Sequence, residues 1–268
     1  LVAPGRCLFI TTTPAWSRLR CIAWLNYAAT SFAQAVGAAC AFLYSTMMWN
    51  RNACFPWLLR TSLCMVLPFA ASAMEVEVRV PYIFLSGSVN GTEYRLLKAA
   101  LDENPGITTV VLKNSPGGDA RTGYLVGEFI RERGLNTAVA GFCHSSCSRL
   151  FLGGKQRFFS DDQPPERTRI GLHGNYNNEG RLLEDRVGPL KDWILKFSDG
   201  KARPELVEQW VRIPINKGFA YFYHPTEGPA SLGPHRMMLC QGTEEASQRT
   251  RQCAKPDLGN ALDNGIVT

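Results

Sequence analysis

The chain has 268 residues, of which 45% are apolar and 19% charged, with 24 Gly and 16 Pro. This composition excludes a disordered chain, a collagen-like repeat and a coiled coil. The first 73 residues contain five Arg and no acidic residue, so nearly all of the net charge of +6 comes from them. The basic balance therefore gives no argument for nucleic-acid binding.

Residues 47–73 are typical of a signal peptide. A basic segment over 48–60 precedes a short apolar run over 62–70, and Ala71-Ser72-Ala73 supplies the small residues at positions −3 and −1. The pattern predicts cleavage before Met74. The apolar run is too short to span a bilayer.

Residues 1–46 have two interpretations. Because the chain opens with Leu, we expect translation to start at Met47 or Met48, which makes 1–46 upstream sequence. The alternative is a membrane span over 21–47, which is long and apolar enough to anchor the protein.

The remaining 195 residues suit one domain, which we expect over 74–240, followed by a polar tail over 241–268. Strand and helix patterns alternate along it. Strands are predicted over 76–86, 107–112, 137–140 and 169–172, with a turn over 141–144. Helices are predicted over 91–103, 119–133 and 145–152, and two more between 187 and 212. The sequence therefore predicts an α/β fold.

Four cysteines follow the predicted cleavage site, and an even number in an exported chain suggests disulfides. Cys143 and Cys147 flank a turn, whereas Cys240 and Cys253 lie in the C-terminal part. Pairing of neighbours, Cys143 with Cys147 and Cys240 with Cys253, and pairing between the two groups are both left open. The expected location is periplasmic or secreted, or membrane-anchored if 21–47 is a span.

Three segments carry the candidate chemistry, each at the end of a predicted strand. They are Asn114-Ser115-Pro116-Gly117-Gly118-Asp119, Gly141-Phe142-Cys143-His144-Ser145-Ser146-Cys147 and Ile170-Gly171-Leu172-His173. In this order they resemble the ClpP/crotonase superfamily, and most of all predicted periplasmic ClpP-like serine protease proteins with a Cys-x-Ser-x-Cys segment. The resemblance covers about residues 107–176. It implies a ClpP/crotonase-like β-β-α superhelix and a homo-oligomer acting on peptide or protein substrates.

Ser145 and His173 are the predicted catalytic pair. A serine at a strand-to-helix turn is exposed beside free helix amides, and a histidine base can take its proton. Gly117 and Gly118, with the backbone N–H of Ser146, are the predicted oxyanion donors. The alternatives are that the serines cap a helix and that Pro-Gly-Gly is a plain turn.

The third triad member is not identified. The family has an Asp near the stretch that corresponds to 219–222, where this chain has no acid. The remaining candidates, chosen only by proximity along the chain, are Asn216, Asp192, Asp199 and Glu205. The site would then work as a Ser–His dyad, use an acid placed elsewhere, or be degenerate.

The sequence thus predicts an exported serine hydrolase, in particular a peptidase, without a cofactor. The competing hypothesis is a non-catalytic binding module that keeps the fold, and a third is an acyl-CoA enzyme, which the Ser–His pattern and export disfavour. A metal site built from Cys143, His144, Cys147 and His173 is less favoured than a disulfide. Nucleotide motifs are absent from the sequence.

Overall fold

The computed structural model describes residues 74–268. The predicted signal peptide over 47–73, the upstream segment 1–46 and the alternative span over 21–47 lie outside the described residues. Among residues 74–268, no helix combines the length and apolarity that crossing a bilayer requires.

Eight strands form one mixed sheet. They are β1 (Glu75–Arg79), β2 (Tyr82–Ser86), β3 (Thr109–Ser115), β4 (Asn136–His144), β5 (Arg157–Phe159), β6 (Arg169–Leu172), β7 (Phe219–Tyr223) and β8 (Met237–Cys240). The helices are α1 (Glu93–Glu103), α2 (Ala120–Glu132), α3 (Ser146–Leu152), α4 (Val187–Phe197), α5 (Pro204–Val211) and α6 (Arg249–Gln252). The predicted α/β class is therefore confirmed.

The sheet order is β1-β2-β3-β4-β6-β7-β8, and the pairs β2-β3, β3-β4 and β4-β6 are parallel. The first part of β4 pairs with β5 and its last part with β6. At the far edge, β7 and β8 run antiparallel to their neighbours. Because β3, β4 and β6 are parallel neighbours, their carboxyl ends, with the three predicted segments, meet at one edge.

One face of the central sheet packs against the helices and carries apolar side chains. In β3, for example, Val110 and Leu112 are fully buried, and so is Val139 in β4. Amphipathic helices close the core, with Leu97 of α1 and Ile130 of α2 completely buried. This rigid core fixes the strand ends at which the site lies.

Two element predictions need correction. The strand predicted over 76–86 is a hairpin, because the chain reverses around Pro81, which cannot donate to a sheet ladder. The turn predicted over 141–144 is strand, because β4 continues to His144 while pairing with β6. Pairing with a new neighbour prolongs β4 past Gly141, which sequence alone reads as a turn residue.

Residues 241–268, expected as a polar tail, pack onto the domain. A disulfide joins Cys240 to Cys253, and Ala261 and Ile266 are fully buried. At the end of the chain, the backbone N–H of Thr268 donates to the carbonyl of Arg157, at 3.1 Å.

Candidate active site

Ser145 lies in the tight turn between β4 and α3. Its φ of 55° and ψ of −127° are values that residues with a side chain rarely adopt. The Cys143–Cys147 disulfide spans this turn, with the two Cα atoms 5.3 Å apart. The side chain of Ser145 makes no capping hydrogen bond to α3. The capping alternative therefore does not describe Ser145, whose hydroxyl points elsewhere.

His173 directly follows β6 and contacts that hydroxyl. Its Nε2 lies 2.7 Å from the Oγ of Ser145, and its Nδ1 lies 3.1 Å from the carbonyl oxygen of Gly218. Since a carbonyl only accepts, Nδ1 carries the proton and Nε2 offers its lone pair to the serine. Phe219 stacks on the imidazole at 4.2 Å between ring centres, which fixes the plane of the ring.

The surroundings of His173 keep the imidazole neutral. Burial lowers its pKa to about 3, and the positive charge of Arg149 acts in the same direction, while the Gly218 carbonyl opposes them. At neutral pH the ring is therefore free to accept a proton. His144, which precedes Ser145, points away and packs among Phe142, Phe219 and Tyr221.

The Gly117-Gly118 loop lies against the serine turn. The loop is fixed by two backbone bonds with Val89, from Val89 N–H to Gly117 O and from Asp119 N–H to Val89 O. The N–H of Gly117 donates to the Oγ of Ser115 at 3.3 Å, whereas the N–H of Gly118 has no acceptor among the described residues.

Two backbone donors thus flank Ser145. The N–H of Ser146 is the first in α3 and has no partner within the helix, for geometric reasons. A Cβ on Gly117 would lie 2.9 Å from that nitrogen, so loop and helix start are in contact. Gly118 and Ser146 could hold an oxyanion formed next to Ser145 Oγ, whereas Gly117 only lets the loop approach.

These groups face one cleft of about 270 Å³. Its lining includes Ser145, His173, Gly118 and Arg149, and none of its lining residues carries a carboxylate. A second cavity of about 540 Å³ adjoins it and shares Ala120, Asn175 and Tyr176 with it. The second cavity is more apolar, with Tyr124, Trp193, Leu183 and Pro189 in its wall. A peptide bound at Ser145 would therefore have this second cavity available for one of its side chains.

No acid candidate from the sequence contacts His173. Asp199 instead binds Arg131 and Arg157, at 3.0 and 2.8 Å. Asp192 and Glu205 are exposed, and Asn216 lines the cleft without a hydrogen bond to the ring. Gly218 O occupies the place of the third member.

The alternative set of metal ligands is not available. Cys143 and Cys147 are joined to each other, so neither offers a thiolate. His173 is bonded to Ser145 and Gly218 instead. The disulfide connectivity, which the sequence left open, pairs neighbours along the chain, with Cys143 joined to Cys147 and Cys240 to Cys253.

No protein-family model and no curated protein matches the chain. Among solved structures, it is similar to ClpP1 from Listeria monocytogenes, with 13% identity and a TM-score of 0.41 over 70% of this chain and 88% of that one. A mutant of the 1510-N membrane-bound stomatin-specific protease matches with 11% identity and a TM-score of 0.37, over 48% of this chain and 67% of that one. A mutant of the same protease in complex with a substrate peptide matches with 12% identity and a TM-score of 0.38, over 48% and 63%.

One of these structures, ClpP1, bears the name of the family that the sequence motifs resemble. At such identities and TM-scores, the similarities say nothing about which residues act. What the site does must be inferred from its own distances and charges.

Proposed function

We propose that the protein is a serine hydrolase acting on peptides, with Ser145 as nucleophile and His173 as general base. The observation that carries the proposal is the 2.7 Å contact between Ser145 Oγ and His173 Nε2 in an open cleft. Nucleophile and base at hydrogen-bond distance, with the base oriented by a third group, is the arrangement that activates serine.

The reaction follows from these positions. His173 Nε2 takes the proton of Ser145 as Oγ bonds to the carbonyl carbon of the substrate, and the carbonyl oxygen becomes an oxyanion. The N–H groups of Gly118 and Ser146 hold that oxyanion. Nε2 then gives the proton to the leaving amine, the C–N bond breaks, and the acyl group stays on Oγ. Water then attacks the ester carbon and passes a proton to Nε2, and Nε2 returns it to Oγ as the ester C–O bond breaks, which releases the acid product and restores the serine.

Gly218 acts here through its carbonyl, in the place where a triad has a carboxylate. A carbonyl accepts the proton of Nδ1 and so selects the tautomer, but it brings no full negative charge to stabilise the imidazolium. The base is thus oriented but is only weakly supported electrostatically.

A fluorophosphonate probe tests the proposal, since it bonds covalently to activated serines. We expect one adduct on the 74–268 fragment by intact mass, which disappears in Ser145→Ala and falls by orders of magnitude in His173→Ala. Ser146→Ala is the matched control, because the Ser146 backbone N–H remains. A folded wild type that takes no label would favour the non-catalytic binding module instead.

We further propose that the protein works outside the cytoplasm as a homo-oligomer. Support for export comes from the two disulfides, which are typical of oxidising compartments. The oligomer rests on the sequence resemblance alone. Cell fractionation and light scattering of the purified protein test the two parts separately.

A further inference from the structure

Arg149 is a buried cation in the helix that follows the nucleophile. It lies four residues after Ser145 in α3 and is 3% exposed. Its Nη2 donates to the side-chain oxygen of Asn175 at 2.8 Å, and its guanidinium lies 4.6 Å from the ring centre of Tyr124. Its Nη1 is buried and has no hydrogen-bond partner within residues 74–268.

Arg157, the second buried arginine among the described residues, differs from Arg149 because all of its donors are bonded. Arg157 forms an ion pair with Asp199 at 2.8 Å and donates to the carbonyls of Gly154, Gly265 and Ile266. Every nitrogen of that side chain that can donate has an acceptor. Arg149 has one neutral acceptor and no carboxylate within 4 Å in the described part of the chain.

Leaving a buried charge without a counterion is unfavourable, because the guanidinium has lost water and gained no anion. Burial accordingly lowers the pKa of Arg149, and the charge of Asp119, which forms no ion pair with it, opposes that shift from a distance. A buried group that destabilises the free protein is typical of a binding site, where a ligand supplies the missing partner. The missing partner is an anion in direct contact with the guanidinium, which the described part of the fold does not supply.

The position of Arg149 in the cleft indicates that a bound substrate would supply the anion. Arg149 lines the cleft that holds Ser145 and His173, and every other lining residue is neutral or a histidine of low pKa. A positive charge without an ion-pair partner in a cleft attracts an anionic group. A planar guanidinium is suited to carboxylates in particular.

We propose that Arg149 is a specificity residue that binds a carboxylate of the peptide substrate beside the scissile bond. The substrate class is then a peptide acid, whose carboxylate is either the C-terminus or an Asp or Glu side chain. This inference rests on the proposed function for its substrate, but binding of the carboxylate itself does not require catalysis.

Binding to Ser145→Ala tests it with two matched pairs of peptides. One pair is N-acetyl-trialanine and its C-terminal amide. The other is N-acetyl-Ala-Asp-Ala-amide and N-acetyl-Ala-Asn-Ala-amide. We expect the acid of at least one pair to bind about tenfold more tightly by calorimetry. Preference within the first pair indicates a C-terminal carboxylate, and preference within the second indicates an acidic side chain.

The preference should disappear in Ser145→Ala combined with Arg149→Gln, and should shrink with Arg149→Lys, which keeps the charge but loses the planar fork. Arg95→Gln is the matched control, because Arg95 is exposed on α1 and lines neither cavity. If Arg149→Gln does not fold by thermal melting, the Arg149→Lys series and the loss of the preference in high salt carry the test.

Three results would overturn the proposal: equal binding of acid and neutral peptides, a preference that survives Arg149→Gln, or no binding of either acid at millimolar concentration. These outcomes are independent of fluorophosphonate labelling. A labelled wild type without carboxylate preference keeps the hydrolase and refutes the role of Arg149. An unlabelled protein that prefers acids through Arg149 keeps the site and refutes the hydrolase.

Discussion

Gly117→Ala should inactivate the site with only moderate loss of stability. The backbone of Gly117 has φ +87°, where a side chain costs about 1–2 kcal/mol. Its new Cβ would lie 2.5 Å from the carbonyl oxygen of His144 and 2.6 Å from the Cβ of Ser145, and both are closer than real Cβ contacts. Relief requires the loop to move by roughly 1 Å away from the serine turn, and a misplacement of that size costs about 100-fold in rate.

The matched control is Gly134→Ala. Gly134 also has positive φ, +65°, but an added Cβ meets nothing within 4 Å, and the residue lies past the end of α2. Both variants share the backbone cost, and Gly117→Ala adds the cost of moving the loop, so Gly117→Ala should lose somewhat more stability in urea than Gly134→Ala. Only Gly117→Ala should lose fluorophosphonate labelling, by about 100-fold in the second-order rate constant. A folded Gly117→Ala that labels as fast as Gly134→Ala would refute the placement of the loop in the oxyanion site.

Two further perturbations have signs fixed by the structure. Burial holds the pKa of His173 and of His144 at about 3, so both stay neutral in the fold but protonate in the unfolded chain below about pH 6.5. Below pH 6.5 the unfolded chain binds protons that the folded state does not, so the free energy of unfolding is largest above pH 6.5. It falls as the pH drops toward 3, by about 1.4 kcal/mol per pH unit for each histidine. A urea midpoint that does not change from pH 7 to 4.5 would contradict this. From loop length, replacing both cysteines of Cys143–Cys147 by Ala should cost about 2 kcal/mol and replacing those of Cys240–Cys253 about 3 kcal/mol. Only the first pair should slow labelling, because it spans the serine turn; equal slowing by both pairs would count against that role.

Most of the central fold could be predicted because its signals are local. The strand predicted over 169–172 matches β6 to the residue, and the apolar run over 107–112 finds β3 within three residues of its bounds. The helix predicted over 119–133 matches α2, which Asp119 caps through the N–H of Thr122. The choice of strand partners, in contrast, depends on residues that are distant in sequence. The extension of β4 and the burial of Ile266 depend on strands or surfaces far away in sequence, so composition alone made the last part of the chain look like a tail.

In the site, too, some residues could be predicted from the sequence and others could not. The three motifs and the family that they resemble pointed to Ser145 and His173, whose Oγ and Nε2 lie 2.7 Å apart in the structure, while their catalytic role stays a prediction. The partner of His173 could not be found by residue type, because it is a backbone carbonyl and every residue has one. Only the packing of Gly218 singles it out: an added Cβ would meet Ile213 and Cys240 within 2.6 Å, so glycine alone permits this approach.

On the proposals made above, substrate choice and base strength are coupled. Burial and the charge of Arg149 both disfavour the imidazolium that His173 must become in the transition state, and Gly218 offers a dipole rather than a charge. A substrate carboxylate on Arg149 neutralises the second of these effects and so raises the pKa of the base toward its working range. Peptide acids should therefore gain in kcat as well as in binding, whereas a residue that only anchors the substrate would change KM alone. Rescue of kcat for a neutral peptide by Arg149→Gln, alongside loss of kcat for the acid, would be the kinetic signature of this coupling.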